Sequence, residues 1–345
     1  MDPKPLSKLL IEFLEHLEIE KNRSQKTVQN YGFYLKRFLE WHGTNKKPSS
    51  IGLEDVRRYR LWLNRLIDVH GEILKKNTQN YHLIALRSFL KYLLKRDIET
   101  LAPEKIELIK MPDREVNFLE GHDLDRLLEA PLWNTKYRQQ DNNKIPLSNP
   151  NLIAFRDKAI LELLFSAGLR VSELVKLKKE HVNLKKDEFT ITGKGRKSRV
   201  VFLSDEARDA LKIYLNARKD LNPYLFVSYD KRAGTQKQHL NWNKIQGKKT
   251  KQKNAETEDK PLTQRSVQRI VEKYAKAAGI TKQVTPHTLR HSYATDLLQN
   301  GADIRSVQTM LGHSSITTTQ IYTHITDKEL RNIHKKFHGK KRDEH

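Results

Sequence analysis

Apolar residues recur at spacings of three and four along most of the chain, the repeat of an amphipathic helix. Four such stretches occupy the first hundred residues. The first, 7–19, carries Leu9, Leu10, Phe13, Leu14 and Leu17; the second, opened by Ser24 or Thr27, carries Val28, Tyr31, Leu35 and Phe38. Residues 53–69 form a third, closed by Gly71, and Asn77 caps a fourth with Leu83, Leu86, Leu90 and Leu93 as its stripe. Lys91, Lys95 and Arg96 lie on other faces of this fourth helix. No period-two alternation interrupts the four, so residues 1–97 are expected to form a small helical bundle with its aromatics in the core. The pattern breaks between Asp97 and Arg114, where Pro103 and Pro112 mark a linker over 98–114.

The helical repeat resumes in a second domain, 115–345. Residues 121–128 and 151–167 read as helices, and the latter is rich enough in Leu and Ile to lie at the centre of its core. Two β-branched runs, 189–192 (FTIT) and 199–203 (RVVFL), flank the Gly-rich basic turn GKGRKS and predict a hairpin. Ser204 caps a helix to about Arg218, and further helices are expected over 263–278, 287–299 and 303–311, with Gly301 and Gly312 as stops. Short helices should follow over 315–322 and 327–337. Polar stretches near 132–150 and 229–260 read as insertions; the second has nine basic and four acidic residues, and its lysines are expected to add a DNA or protomer contact. The fold class is therefore mainly α, a four-helix domain followed by an α-rich domain with a small β-hairpin.

Charge narrows the function. With 65 Lys and Arg against 42 Asp and Glu, the 345-residue chain has a net charge of +23. Residues 1–110 hold 21 basic and 14 acidic residues, so the excess is not one detachable tail. A polyanion partner, above all nucleic acid, is the natural inference. The chain has no cysteine, which excludes disulfides and thiolate metal sites. No apolar run approaches the roughly 20 residues of a membrane span, and acidic residues inside the first apolar stretch argue against a signal peptide. A cytoplasmic protein without membrane association is expected.

Candidate chemistry centres on His287-Thr288-Leu289-Arg290. Thr285 and Pro286 suit a helix start, Leu289, Tyr293 and Leu297 can face a core, and His287 and Arg290 project together at the positive helix end, where an anion binds. Arg170 follows the central helix, with Glu173 three residues on, placed to orient it. Lys194 sits at the hairpin tip, His313 follows Gly312, and Tyr322 comes nine residues later. Together they meet the needs of phosphodiester transfer without a metal. Two guanidiniums clamp the non-bridging oxygens, a phenol attacks once its proton is drawn off, and a mobile lysine protonates the leaving alkoxide. No carboxylate cluster suggests Mg²⁺, and His287 with His291 lacks a third ligand for zinc, so no metal or cofactor is expected.

Taken singly each of these residues has a bland reading; the ordered combination does not. The segments AGLRVSEL (167–174), GKGRK (193–197), HTLRHSYAT (287–295), LGHS (311–314) and TTQIYTH (318–324) resemble the tyrosine recombinase (phage integrase) family, most closely its Xer branch. The resemblance spans nearly the whole chain. It implies a SAM-like core-binding domain and a catalytic domain closing as a C-shaped clamp on DNA. It places the family's catalytic residues on Arg170, Lys194, His287, Arg290 and His313, with Tyr322 as nucleophile and Glu173 in support. Lys91, Lys95, Arg96, Arg196, Lys197 and Arg199 are the DNA-contact candidates. The implied reaction cleaves and rejoins double-stranded DNA at paired inverted half-sites through a 3′-phosphotyrosyl link, without ATP or metal. Four protomers, of this chain alone or with a related second recombinase, would synapse two sites, each lending a C-terminal exchange helix, here 327–337, to its neighbour. Chromosome or plasmid dimer resolution is the expected role, linked to chromosome partition and cell division. A mobile-element or integron-type integrase, a type IB topoisomerase-like relaxase and a non-cutting DNA-binding protein are the alternatives.

Overall fold

The computed structural model describes residues 4–67, 71–111, 117–133, 149–193, 198–229 and 261–312. The chain divides into two compact units, Met1–Asp113 and Arg114–His345.

The first unit is built on α1 (Leu6–Ile19), α2 (Gln25–His42), α3 (Leu53–Arg65) and α4 (Lys76–Leu94). Leu6, Leu9, Leu10, Phe13 and Leu17 form the buried stripe of α1, and α4 buries Leu83, Leu86, Phe89, Leu90 and Leu93. Each such side chain contributes roughly 1.5–3 kcal/mol of burial. Ser24 caps α2 by accepting from the Thr27 N–H at 3.2 Å. Inside the bundle Tyr59 hydrogen-bonds Nδ1 of His82 at 3.0 Å. Burial, and then the Arg37 cation, hold this imidazole down to about 4, so it stays neutral.

Three boundaries differ from expectation. The third helix stops at Arg65, because Ile67 pairs with Ile73 in an antiparallel bridge and the Leu74 N–H bonds the Leu66 carbonyl. The fourth starts at Lys76, ahead of Asn77, and no side chain caps it. The stretch 98–111, expected as linker, folds back onto the bundle: Ile106 is buried, and Asn80 bonds both the carbonyl (2.8 Å) and the N–H (2.9 Å) of Ile109.

The second unit contains α5 (Gly121–Glu129), α6 (Asn149–Ser166), α7 (Val171–Leu174), β1 (Glu188–Thr192), β2 (Ser198–Phe202), α8 (Asp205–Ala217), α9 (Gln264–Ala277), α10 (Pro286–Gln299) and α11 (Ile304–Leu311). The central helix α6 is buried on nearly all sides: Ala159, Ile160, Leu161, Leu163 and Leu164 are fully buried where it meets α8 and α10, and its charges Arg156 with Asp157 and Lys158 with Glu162 are paired. The strands pair antiparallel, with Phe189 opposite Val201 and Ile191 opposite Arg199. Phe189, Ile191 and Val201 are buried, whereas Val200 and Phe202 point outward. Ser204 caps α8 as expected, and Tyr229, at the edge of the expected second insertion, packs against the core and hydrogen-bonds Tyr214. No helix among the described residues is long and apolar enough to cross a membrane. The helices expected over 315–322 and 327–337, and most of both insertions, lie outside the described residues.

Candidate active site

Local sequence fixes the first turn of α10. The Thr285 hydroxyl accepts from the Thr288 N–H at 3.2 Å, the Thr288 hydroxyl accepts from the Thr285 N–H at 3.1 Å, and Pro286 takes the first helical position. His287 is exposed there, while Leu289 and Arg290 turn inward and are buried. Tyr293 and Leu297, expected to share the core face of Leu289, are only half-buried and pack against a smaller cluster of Ala294, Leu298, Val307 and Leu311. Ser292 anchors the helix from its other side by accepting the Leu119 N–H at 2.8 Å.

Arg290 is 4% exposed, and its guanidinium donates to the carbonyls of Gly168 and Leu311. Gly168 lies between α6 and Arg170 with φ +53°. Arg170 takes extended backbone geometry at the N-cap of α7. Its own N–H donates to Oε2 of Glu173 at 2.9 Å, its Nη1 to Oε1 at 2.9 Å, and its Nη2 to the Gly312 carbonyl at 3.1 Å. The Arg170 side chain keeps 27% exposure, so this guanidinium is both held and accessible.

Arg199, a candidate DNA contact, is found elsewhere. It faces inward beside Val201, its side chain is 9% exposed, and its donors are taken by Glu173 and Met310. Three of its five N–H groups are thus engaged inside the site, by one carboxylate and one carbonyl. Period two along β2 explains the placement: with Val201 inward, Arg199 is inward too.

Three consecutive carbonyls at the end of α11 thus receive three guanidiniums. Met310 accepts from Arg199 (2.9 Å), Leu311 from Arg290 (2.6 Å) and Gly312 from Arg170 (3.1 Å). A helix C-terminus leaves such carbonyls unpaired and carries partial negative charge, so cations suit it. Gly312 closes the helix in the left-handed region at φ +63°.

Electrostatics follow from this packing. Burial raises the Glu173 carboxyl, but bonds from Arg199, the Arg170 N–H and the Arg170 guanidinium outweigh it and bring the group down to about 2. It is therefore ionised at any physiological pH. Desolvation first, and then the cations of Arg290 and Arg170, lower the His287 imidazole, so it is neutral near pH 7 and able to accept a proton. His291, one turn on, is lowered to about 4 by burial, His287 and Arg290. Three guanidiniums against one carboxylate leave an excess of positive charge, and two of them, Arg290 and Arg170, act on the exposed His287, an arrangement that favours an anionic ligand.

Of the expected site residues, Arg170, Glu173, His287 and Arg290 come together here; Lys194, Arg196, Lys197, His313 and Tyr322 lie outside the described residues. Lys91 and Lys95 are exposed on the first unit and, with Lys21 and Arg23, line a cleft of about 240 Å³. Arg96 is drawn to Glu20 at 3.2 Å and lies over the Tyr92 ring. Lys21 and Arg23 were not legible as partners of Lys91, because the turn that brings them there links different helices.

Comparison with known proteins places the chain in a family. The Phage integrase family profile matches residues 139–329, and that of the phage integrase N-terminal SAM-like domain matches residues 10–97. The chain is 34% identical over 339 residues to tyrosine recombinase XerD of Staphylococcus epidermidis, covering 96% of this chain and 99% of that protein. It is 33% identical over 330 residues to tyrosine recombinase XerC of Thermodesulfovibrio yellowstonii, covering 94% of each. XerH site-specific recombinase bound to palindromic difH substrate aligns with a TM-score of 0.62 at 22% identity, over 94% of this chain and 83% of that one. The Tn1549 transposon integrase in complex with transposon right end DNA aligns at 0.67 and 19% identity, over 96% and 99%. At such identities the structural likeness speaks for the fold, whereas the sequence relatives speak for the family. The chain belongs to the phage integrase family, the tyrosine recombinases.

Proposed function

We propose that the protein is an Xer-like site-specific recombinase that cleaves and rejoins DNA through Tyr322. The observation that carries this reading is the pair of guanidiniums, Arg170 and Arg290, gripping the carbonyls of Gly312 and Leu311, directly before His313 in the chain. Sequence relatives that are tyrosine recombinases over nearly their full length support the same assignment.

The reaction assigned to these residues runs in two balanced steps. The Tyr322 oxygen attacks the scissile phosphorus, a phosphotyrosyl ester forms at the 3′ side, and the P–O bond to the 5′ oxygen breaks. Neutral His287 takes part in moving the phenolic proton, and Lys194 delivers a proton to the departing 5′ oxygen. Arg170 and Arg290, with His313, neutralise charge building on the non-bridging oxygens. A 5′-hydroxyl of the partner duplex then attacks the phosphotyrosine and releases the phenol, so the number of phosphodiester bonds is conserved. Guanidinium charge does the work that a metal ion performs in other phosphoryl transfers.

The partner is double-stranded DNA with two inverted half-sites, and four protomers of this chain, or of this chain and a related recombinase, synapse two such sites. Fold neighbours solved on DNA, among them XerH on a palindromic substrate, support the DNA partner with paired half-sites. The cytoplasm is the assigned location, and resolution of chromosome dimers is the assigned role. Incubating the purified protein with DNA carrying two selected sites tests the reading: four-way junctions and exchanged products are expected. Relaxation of supercoils without junctions would point to a relaxase instead.

A further inference from the structure

The buried guanidinium of Arg199 has no part in the reaction as written, yet it touches both supports of Arg170. Its Nη1 and Nη2 reach Oε1 and Oε2 of Glu173 at 3.0 and 2.9 Å, a parallel two-bond grip. The same carboxylate oxygens hold Nη1 and the backbone N–H of Arg170. The Arg199 Nε reaches the Met310 carbonyl at 2.9 Å, and a Cβ on Gly312 would fall 2.9 Å from its Cδ. Its stem therefore lies against the glycine whose carbonyl is the second support of Arg170. Arg199 also stands on β2, so it ties the hairpin whose turn carries Lys194 to the helix end that continues into His313.

We propose that Arg199 is a positioning residue of the strand-transfer centre, which orients the Arg170 guanidinium through Glu173 and fixes the end of α11 through the Met310 carbonyl. This rests on the recombinase reading above. Without Arg199, Glu173 keeps Arg170 as its one partner from this group, and Met310 loses its cationic cap. Arg170 then loses the fixed carboxylate that aims it at a phosphate. Misplacement of a charge-neutralising group by about 1 Å costs on the order of a hundredfold in rate. DNA affinity, set by exposed cations elsewhere, stays the same.

The test compares Arg199→Met and Arg199→Lys with the unaltered full-length protein on a nicked site-bearing duplex. Binding is read by fluorescence anisotropy, folding by thermal melting, and cleavage as the single-turnover rate at saturating DNA. Arg199→Met should bind within about twofold of the unaltered protein and cleave on the order of a hundredfold more slowly. Arg199→Lys restores charge but not the two-bond fork, so its rate should stay well below that of the unaltered protein. A second duplex with a methylphosphonate at the scissile position removes one of the charges that Arg170 would neutralise. Both Arg199 variants, like Arg170→Ala, should therefore lose less on methylphosphonate than on phosphate. Equal losses on the two substrates, or cleavage at the unaltered rate by either folded variant, would overturn the proposal. If Arg199→Met fails to fold, Arg199→Lys decides by the same ratio. Absence of any covalent adduct with the unaltered protein would overturn the recombinase reading and this proposal with it, whereas a normal adduct with insensitive variants overturns this proposal alone.

Discussion

A Cβ on Gly168 would lie 2.4 Å from Cδ1 of Tyr293, so the turn after α6 meets the face of α10 with backbone against ring. That contact brings the Gly168 carbonyl to Arg290 and starts the chain that delivers Arg170 two residues later. The close approach and the positive φ both require glycine at this position.

Gly168→Ala should therefore destabilise the second unit by about 2–4 kcal/mol, from left-handed strain plus overlap with the half-buried Tyr293 ring. In thermal melting this corresponds to a fall of roughly 5–15 °C for a unit of this size. Pairing it with Tyr293→Ala should recover part of the loss, since the overlap goes but the strain stays. An unchanged melting temperature in Gly168→Ala would contradict the packing described.

Glu173 makes acid stability predictable in sign. Its folded-state pKa lies below the ordinary 4.5, at about 2, so its contribution is present above 4.5 and is lost as pH falls towards 2. Glu173→Gln should remove that part of the pH dependence, and it should also slow cleavage, because a neutral amide cannot hold two guanidiniums equally well. Urea unfolding of both proteins across pH 5 to about 2.5 checks the first point. Parallel pH dependences in the two proteins would contradict the ionised pairing.

In the first unit the sign is set by a base. Burial, followed by the Arg37 cation, lowers His82 from 6.5 to about 4, so the unfolded chain binds a proton there before the folded one does. Stability should fall as pH drops from about 6.5 to about 4, and His82→Gln should flatten this loss. NMR titration of the His82 ring, remaining neutral at pH 5, is the direct measurement.

Lys91 and Lys95 are exposed on α4 and share a cleft with Lys21 and Arg23. If they contact DNA phosphates, each change to Ala should weaken binding on all sequences and reduce the salt slope by about one. Arg96, already paired with Glu20 and stacked over Tyr92, should have the smaller effect. A slope unchanged in Lys91→Ala/Lys95→Ala would remove this face from the DNA interface.

Much of this arrangement is legible in the sequence because it is written in periodicity. The four helices of the first unit, the Leu- and Ile-rich α6, the hairpin and the capped start of α10 all follow from spacing, Ser or Thr caps and glycine stops. Arg199 is harder to place from sequence: the alternation that buries Val201 also turns Arg199 inward onto Glu173, whereas its place in a basic run reads as a surface position. Asn80 looks like an ordinary helix residue, and nothing local reveals its bonds to Ile109, 29 positions away. The four carbonyl partners of Arg170, Arg199 and Arg290 were invisible for a plainer reason. Every residue has a backbone carbonyl, so no residue type announces that role.

The central claim concerns Tyr322. A nicked duplex that lets the fragment beyond the cleavage point diffuse away should trap a covalent protein–DNA adduct stable to denaturant, and peptide mass mapping should find a phosphotyrosyl nucleotide on Tyr322. The account predicts that adduct for the unaltered protein and none for Tyr322→Phe, with both proteins binding the duplex equally. An adduct on another residue, or one that persists in Tyr322→Phe, would contradict it.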